Sequence, residues 1–318
     1  MMVKMSLAVF ALLLASAALA QGQTEEGKED PWFTSSLKQN SVCSKGVRRE
    51  KVPSLGMSVG ELLERANRGR TLRPNGPVVV EGDIAMKIVL GRNADPCTAQ
   101  GCRWKKWTDG LVYIPYYIAA NQYSPREKAI VIRGLESFSA VSCIRFRPTV
   151  QNDGDWLSIE SESGCYSWVG RQGGKQVVSL ARQGCLYHGT VQHELLHVLG
   201  FNHEQTRSDR DKYIRVAWEN IIDDQKYNFN KLNTLNQGTP YDYSSVMQYE
   251  RYAFSKNDQP TMIPIPNPNV PFGGSQEMSK NDIIRINNLY KCLEVPCPLL
   301  GSLAGHDIRG KRIVSFCD

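Results

Sequence analysis

Three features of the sequence predict an α+β fold. Strand-like runs at 111–118, 144–147, 156–160 and 176–180 are separated by turns at Gly164, Gly170 and Gly173-Gly174. Two helices, 125–140 and 190–199, are interspersed with them. The chain that follows is irregular and rich in Asn, Tyr and Pro until a last amphipathic helix at 283–290. Each helix has a local cause. Ser124 as N-cap, Pro125 at the first helical position and Glu127 three after the cap form a capping box. Gly200 stops the second helix, and Ser279-Lys280-Asn281-Asp282 caps the third. Residues 21–92, before all of these, are polar, charged and turn-rich with a short helical patch at 59–68, the texture of a segment that packs on something else.

The chain has 318 residues, 41% hydrophobic and 22% charged, with 13 Tyr, 9 Phe and 6 Trp. That balance excludes a disordered tail, a collagen repeat and a coiled coil. The net charge of +6 has to be located before it implies a partner. Residues 93–292 carry 22 Lys and Arg against 20 Asp and Glu, and the rest of the excess lies N-terminal to them. A nearly neutral main domain makes no electrostatic case for nucleic acid.

Lys4, the apolar run 7–14 and Ala18-Leu19-Ala20 have the order of a secretory signal peptide. The run is far short of the roughly 20 residues of a membrane span, and no later stretch reaches that length. An extracellular product starting near Gln21 is predicted, with prior storage in secretory granules left open. Secretion permits disulfides, so the nine cysteines are read as an oxidised framework.

The chemistry is concentrated in His193-Glu194-Leu195-Leu196-His197-Val198-Leu199-Gly200-Phe201-Asn202-His203-Glu204. His193 and His197 are four apart and share one face of a helix, so both reach one metal ion. Glu194 lies about 100° further round, beside that metal rather than on it. A glycine at 200 takes positive φ, turns the chain, and returns His203 as a third ligand. Three imidazoles leave a position open, the mark of catalytic rather than structural zinc. Zinc of this kind lowers the pKa of a water to roughly 7. Of the five histidines, His188 and His306 have no partner at ligand spacing and are read as ordinary hydrogen-bonding residues.

This extended motif, with Ser245-Val246-Met247-Gln248-Tyr249 downstream, resembles the astacin family of metzincin zinc endopeptidases over about residues 97–292. The resemblance implies a two-lobed zincin catalytic domain. A twisted mixed sheet and the zinc-binding helix form the upper lobe; an irregular lower lobe holds the Met-turn and the last helix. It implies one zinc per chain held by His193, His197 and His203, with Glu194 as general base and Met247 as the floor of the site. Tyr249 would ligate zinc at rest and swing to the oxyanion. Family members are made as zymogens in which an aspartate of an F-x-G-D segment occupies the zinc. Here Val80-Glu81-Gly82-Asp83 keeps Gly and Asp but has Val80 for the aromatic, and assigns that role to Asp83. A trypsin-like protease would cut between Arg92 and Asn93, and the freed amino terminus would meet Glu204.

The implied organisation is a signal peptide at 1–20, an inhibitory leader at 21–92, a peptidase domain at 93–293 and a tail at 294–318. Removing the leader removes Cys43 and leaves eight cysteines. By resemblance Cys143 pairs with Cys292 and Cys165 with Cys185. Cys97 with Cys102 is an extra pair similar to the six-cysteine hatching-enzyme subgroup of fishes; Cys297 with Cys317 remains by elimination. That subgroup implies egg-envelope glycoproteins as substrate, with digestion or tissue remodelling open. Two other classes compete: a catalytically silent extracellular binding protein, against which Glu194 and Tyr249 stand, and a protein with structural zinc, which lacks a fourth ligand at suitable spacing.

Overall fold

The computed structural model describes residues 56–70, 76–86 and 101–292, within one compact unit that begins at Ser54. The signal segment, Cys43, Arg92, Asn93, Cys97, His306, Cys297 and Cys317 lie outside the described residues.

Seven strands form a mixed sheet: β1 (Val78–Val80), β2 (Ile84–Met86), β3 (Val112–Ile118), β4 (Ile144–Pro148), β5 (Trp156–Glu160), β6 (Cys165–Trp168) and β7 (Lys175–Leu180). Their order is β1-β2-β6-β7-β5-β3-β4. Strands β4, β3, β5 and β7 are mutually parallel, and β6 returns antiparallel to β7. Two strands come from residues 78–86: β2 lies parallel to β6, with Ile84 opposite Ser167, and β1 folds back on β2. These two were not expected from the sequence. Each is three residues long, and β2 finds its partner some 80 positions away, beyond the reach of a local pattern.

The helices are α1 (Val59–Asn67), α2 (Pro125–Ser137), α3 (His188–Val198) and α4 (Lys280–Tyr290). Helices α1, α2 and α4 open on capping boxes built by Ser58, Ser124 and Ser279. Helix α2 ends at Ser137 rather than near residue 140. There Ser137 and Ser139 hydroxyls donate back to the carbonyls of Gly134 and Glu136, drawing the turn out of helical pairing. Helix α3 is buried on every side, so it is the central helix and not an amphipathic surface one.

A single core joins the sheet to these helices: Ile114, Ile144, Leu157, Ile159 and Val178 meet Val131 and Leu135 of α2, Leu195 and Leu196 of α3, and Val59 and Leu63 of α1. The second lobe has its own smaller core of Ile214, Val216, Ile221, Phe229, Tyr241 and Met262. It surrounds the short sheet of β8 (Ile214–Val216) and β9 (Met262–Pro264). Disulfides Cys143–Cys292 and Cys165–Cys185 close loops of 149 and 20 residues; the longer one ties β4 to the end of α4. In the chain-entropy model that closure contributes about 4 to 5 kcal/mol. Cys102 is also disulfide-bonded.

Helices α2 and α3 touch through Gly134, where a Cβ would stand 2.4 Å from Val191 Cγ1. A glycine inside a helix costs about 1 kcal/mol relative to alanine, and the close approach of the two helices is what it secures. Gly134→Ala is therefore expected to lower stability by about 1–3 kcal/mol through overpacking, despite the better helix propensity. A urea midpoint at or above that of the parent chain would contradict this packing.

Candidate metal centre

The C-terminal end of α3 creates the site. Gly200 has φ +102°; its N–H donates to the His197 carbonyl at 2.8 Å, and Phe201 N–H to the Leu196 carbonyl at 3.0 Å. This is a Schellman turn. The remaining exposed carbonyls of the buried helix end are also met: Val198 by Trp104 Nε1 at 3.0 Å, and Leu199 by the Tyr290 hydroxyl at 2.9 Å. The chain leaves this turn with His203 facing His193 and His197.

His193, His197, His203 and Asp83 each present one ligand atom, all within 4.8 Å of one another. Asp83 Oδ2 lies 3.1 Å from His193 Nε2, and its Oδ1 lies 3.0 Å from His203 Nε2 and 3.5 Å from His197 Nε2. All four side chains are at most 1% exposed. At 3.0 Å, Asp83 Oδ1 and His203 Nε2 are close enough to hydrogen-bond, yet neither is aligned to do so. A buried set of three imidazole nitrogens and one carboxylate oxygen around one point fits tetrahedral zinc.

Charge and burial set the protonation of the site. Burial alone would push the Asp83 carboxyl up, but the imidazoles, His203 foremost, hold it well below the usual carboxylate range. Burial brings His197 down to about 4, which keeps it a neutral ligand. Glu194 is fully buried, neither of its oxygens has a hydrogen-bond partner, and burial followed by the Asp83 charge raises its carboxyl well above normal. Tyr249 is likewise raised by burial and then by Asp83, so it stays a phenol donor. Its hydroxyl donates to the Glu81 carbonyl, and its ring lies 4.4 Å from that of His203.

Met247 is 2% exposed in the main core, and its carbonyl accepts from Glu204 N–H at 3.0 Å, fastening the turn to the segment after His203. Glu204 is buried and already engaged. Arg285 meets both oxygens at 2.6 and 2.9 Å, Asp242 N–H donates at 2.6 Å and Arg207 at 3.3 Å. Arginine pairs of this forked kind are strong and directional.

Three residues that the sequence did not mark hold the site together. Asn67, at the end of α1, donates to the carbonyls of Gly82 and Cys165 at 2.9 and 2.8 Å and accepts from Cys165 N–H at 2.7 Å. It clamps the Asp83 loop to strand β6. Glu81 Oε2 stands 3.3 Å from His203 Nδ1. Asp282, expected only to cap α4, also accepts from the Ser245 hydroxyl at 2.6 Å and Val246 N–H at 3.0 Å. The Val246 carbonyl in turn faces His193 Nδ1 at 2.9 Å. The general signal for Asp282 was its capping position; what it reaches lies 36 residues back.

A buried three-histidine centre with an adjacent unpaired glutamate at the end of a helix, between two lobes, defines a zinc metalloendopeptidase. Known proteins point to the same class. The Astacin peptidase-family model matches residues 100–291. High choriolytic enzyme 1 of Oryzias latipes is 51% identical over 217 residues, 68% of this chain and 78% of that protein. Low choriolytic enzyme of the same fish is 46% identical over 216 residues, 67% of this chain and 78% of that protein. The solved structure of High choriolytic enzyme 1 (HCE-1), a hatching enzyme zinc-protease, superposes with a TM-score of 0.59 at 53% identity, covering 60% of this chain and 96% of that one. The chain belongs to the astacin family of zinc peptidases, near the hatching enzymes. No helix among the described residues is long and apolar enough to cross a membrane.

Replacing Asp282 by Ala strands two backbone N–H groups and a buried hydroxyl. Stability in denaturant should fall by about 1–3 kcal/mol for each acceptor contact left unmet, and zinc should be released faster because Val246 no longer fixes His193. Asp282→Asn, which keeps one acceptor, should lie between. An alanine variant with parental stability and metal retention would remove Asp282 from this role.

Proposed function

We propose that the chain is the zymogen of a secreted zinc endopeptidase. In this reading residues 1–20 form the signal peptide, 21–92 an inhibitory leader, 93–293 the catalytic domain and 294–318 a tail. One observation carries it: the carboxylate of Asp83, from the leader, stands among the three zinc-ligating imidazoles, with all four side chains sealed from solvent. A substrate carbonyl needs that position. The leader also covers the edge of β6 with β2 and binds it through Ser167 N–H to the Asp83 carbonyl at 2.9 Å. An exposed strand edge is where an extended peptide adds to a sheet, so the leader blocks the metal and the docking edge together.

His193, His197 and His203 hold the zinc after cleavage between Arg92 and Asn93. When bound, zinc supplies Lewis acidity, acidifying a water molecule and polarising the peptide carbonyl. Glu194 takes a proton from the attacking water and delivers it to the leaving amide nitrogen. Tyr249, released from the Glu81 carbonyl when the leader goes, donates its hydroxyl to the developing oxyanion. Met247 supports the metal from below. Glu204 receives the new amino terminus beside Arg285, most readily at the side of Arg207, its longest contact at 3.3 Å. Similarity to choriolytic enzymes, one a hatching-enzyme zinc-protease, supports an egg-envelope protein as substrate; the trypsin-like activator is inferred from the basic residue of the Arg92-Asn93 bond alone.

Two substitutions test the roles. Glu194→Gln should keep full zinc occupancy after trypsin treatment and lose at least about 100-fold in peptide cleavage; unchanged turnover would remove Glu194 as the base. Asp83→Ala should cleave peptides before trypsin, with the activity abolished by chelator. An Asp83→Ala chain that is silent until cleaved would overturn the latency assignment. Cleavage of isolated egg envelope by the activated chain checks the substrate, and cleavage of other proteins only would refute it.

A further inference from the structure

The three imidazoles are oriented by different parts of the chain. His193 Nδ1 faces the Val246 carbonyl at 2.9 Å and His197 Nδ1 the Phe201 carbonyl at 2.8 Å. Both acceptors belong to the segment that remains after activation. His203 Nδ1 instead faces Oε2 of Glu81 at 3.3 Å, and Glu81 lies in the leader. With each Nε2 turned to the metal, Nδ1 carries the proton and is the donor.

We infer that Glu81 is a positioning residue for the metal in the uncleaved chain, its carboxylate accepting from His203 Nδ1–H and fixing the third ligand as two catalytic-domain carbonyls fix the others. The inference rests on the reading of Asp83 as the leader's zinc ligand and adds to it a second carboxylate two residues before it. The backbone is shaped for both. Glu81 has φ +49° and Gly82 φ +80°, two successive left-handed residues that bring the side chains of 81 and 83 onto the same centre. For a glutamate that conformation is uncommon. Glu81 is nevertheless 9% exposed, and its own carbonyl receives the Tyr249 hydroxyl. At Gly82 a Cβ would stand 3.0 Å from the Tyr249 hydroxyl oxygen, a tight contact. Residues 81 to 83 thus touch a ligand's outer nitrogen, the tyrosine and the metal position in turn.

The consequence is a change in metal retention on activation. Cleavage of the leader removes Asp83 from the metal and, with Glu81, the partner of His203. The uncleaved chain should therefore hold zinc more tightly than the activated enzyme, and part of that difference belongs to Glu81.

Zinc release to excess chelator, followed on the full-length chain with a zinc indicator, tests this. Glu81→Ala should release zinc about 10–100-fold faster than the parent, the usual effect of losing an outer-shell partner. Glu81→Gln, which keeps a carbonyl acceptor of the same reach, should fall between and carries the comparison should the alanine variant fold poorly. Both should remain without peptidase activity until trypsin is added, and after cleavage all chains should release zinc at one common rate. Release from Glu81→Ala and Glu81→Gln at the parental rate would overturn the inference. So would peptidase activity before trypsin, which would make Glu81 a residue that docks the leader rather than one acting through His203. Failure of the Asp83 reading shows separately, as an Asp83→Ala chain that stays silent until cleaved.

Discussion

A carboxylate and three imidazoles sealed from water around one point are the constraint on which the rest of this molecule depends. Four polar groups at most 1% exposed cannot be left facing one another without a cation or protons between them, because burial penalises every unmatched charge and lone pair. Zinc resolves the conflict, and the surrounding structure exists to keep the four groups pointed at it. The Schellman turn at Gly200 returns His203 to α3, and the Asn67 clamp holds the loop between β1 and β2 that carries Asp83.

Support for the centre extends outward in connected steps. Asp282 opens helix α4 with a capping box and uses its remaining lone pairs on Ser245 and Val246; Val246 orients His193. Met247 in the same turn holds Glu204, which Arg285 from α4 grips with both of its terminal nitrogens. The last helix therefore serves the first metal ligand and the residue after the third. The long Cys143–Cys292 link pins that helix to the sheet at its far end. None of these contacts touches the metal, but each removes a freedom that a ligand would otherwise have.

The parts legible in the sequence are those written in short spacings. His193 and His197 fall on one helix face, Gly200 can turn the chain, and Ser124-Pro125 with Glu127 opens a helix whatever lies elsewhere. The parts that were not legible are long-range. Asn67 meets Cys165 across 98 residues and Glu81 meets His203 across 122, so neither residue type carried a local signal. The leader strands were missed for the same reason: Val78-Val79-Val80 is too short to declare itself, and only the free edge of β6 makes Ile84–Met86 a strand. The neighbourhood of Glu204 was legible only in part: Arg207 lies three residues on, but Arg285 comes from α4, 81 residues away.

The Asn67 clamp and the three sealed imidazoles converge on one claim, that the carboxylate of Asp83 completes the coordination of zinc in the full-length chain. A crystal structure of the full-length, zinc-loaded protein, with the metal located at its absorption edge, measures this directly. One zinc ion is expected about 2.0–2.1 Å from Nε2 of His193, His197 and His203 and about 2.0–2.2 Å from a carboxylate oxygen of Asp83. Zinc bound by the three histidines with Asp83 turned away and a water in its place would contradict it.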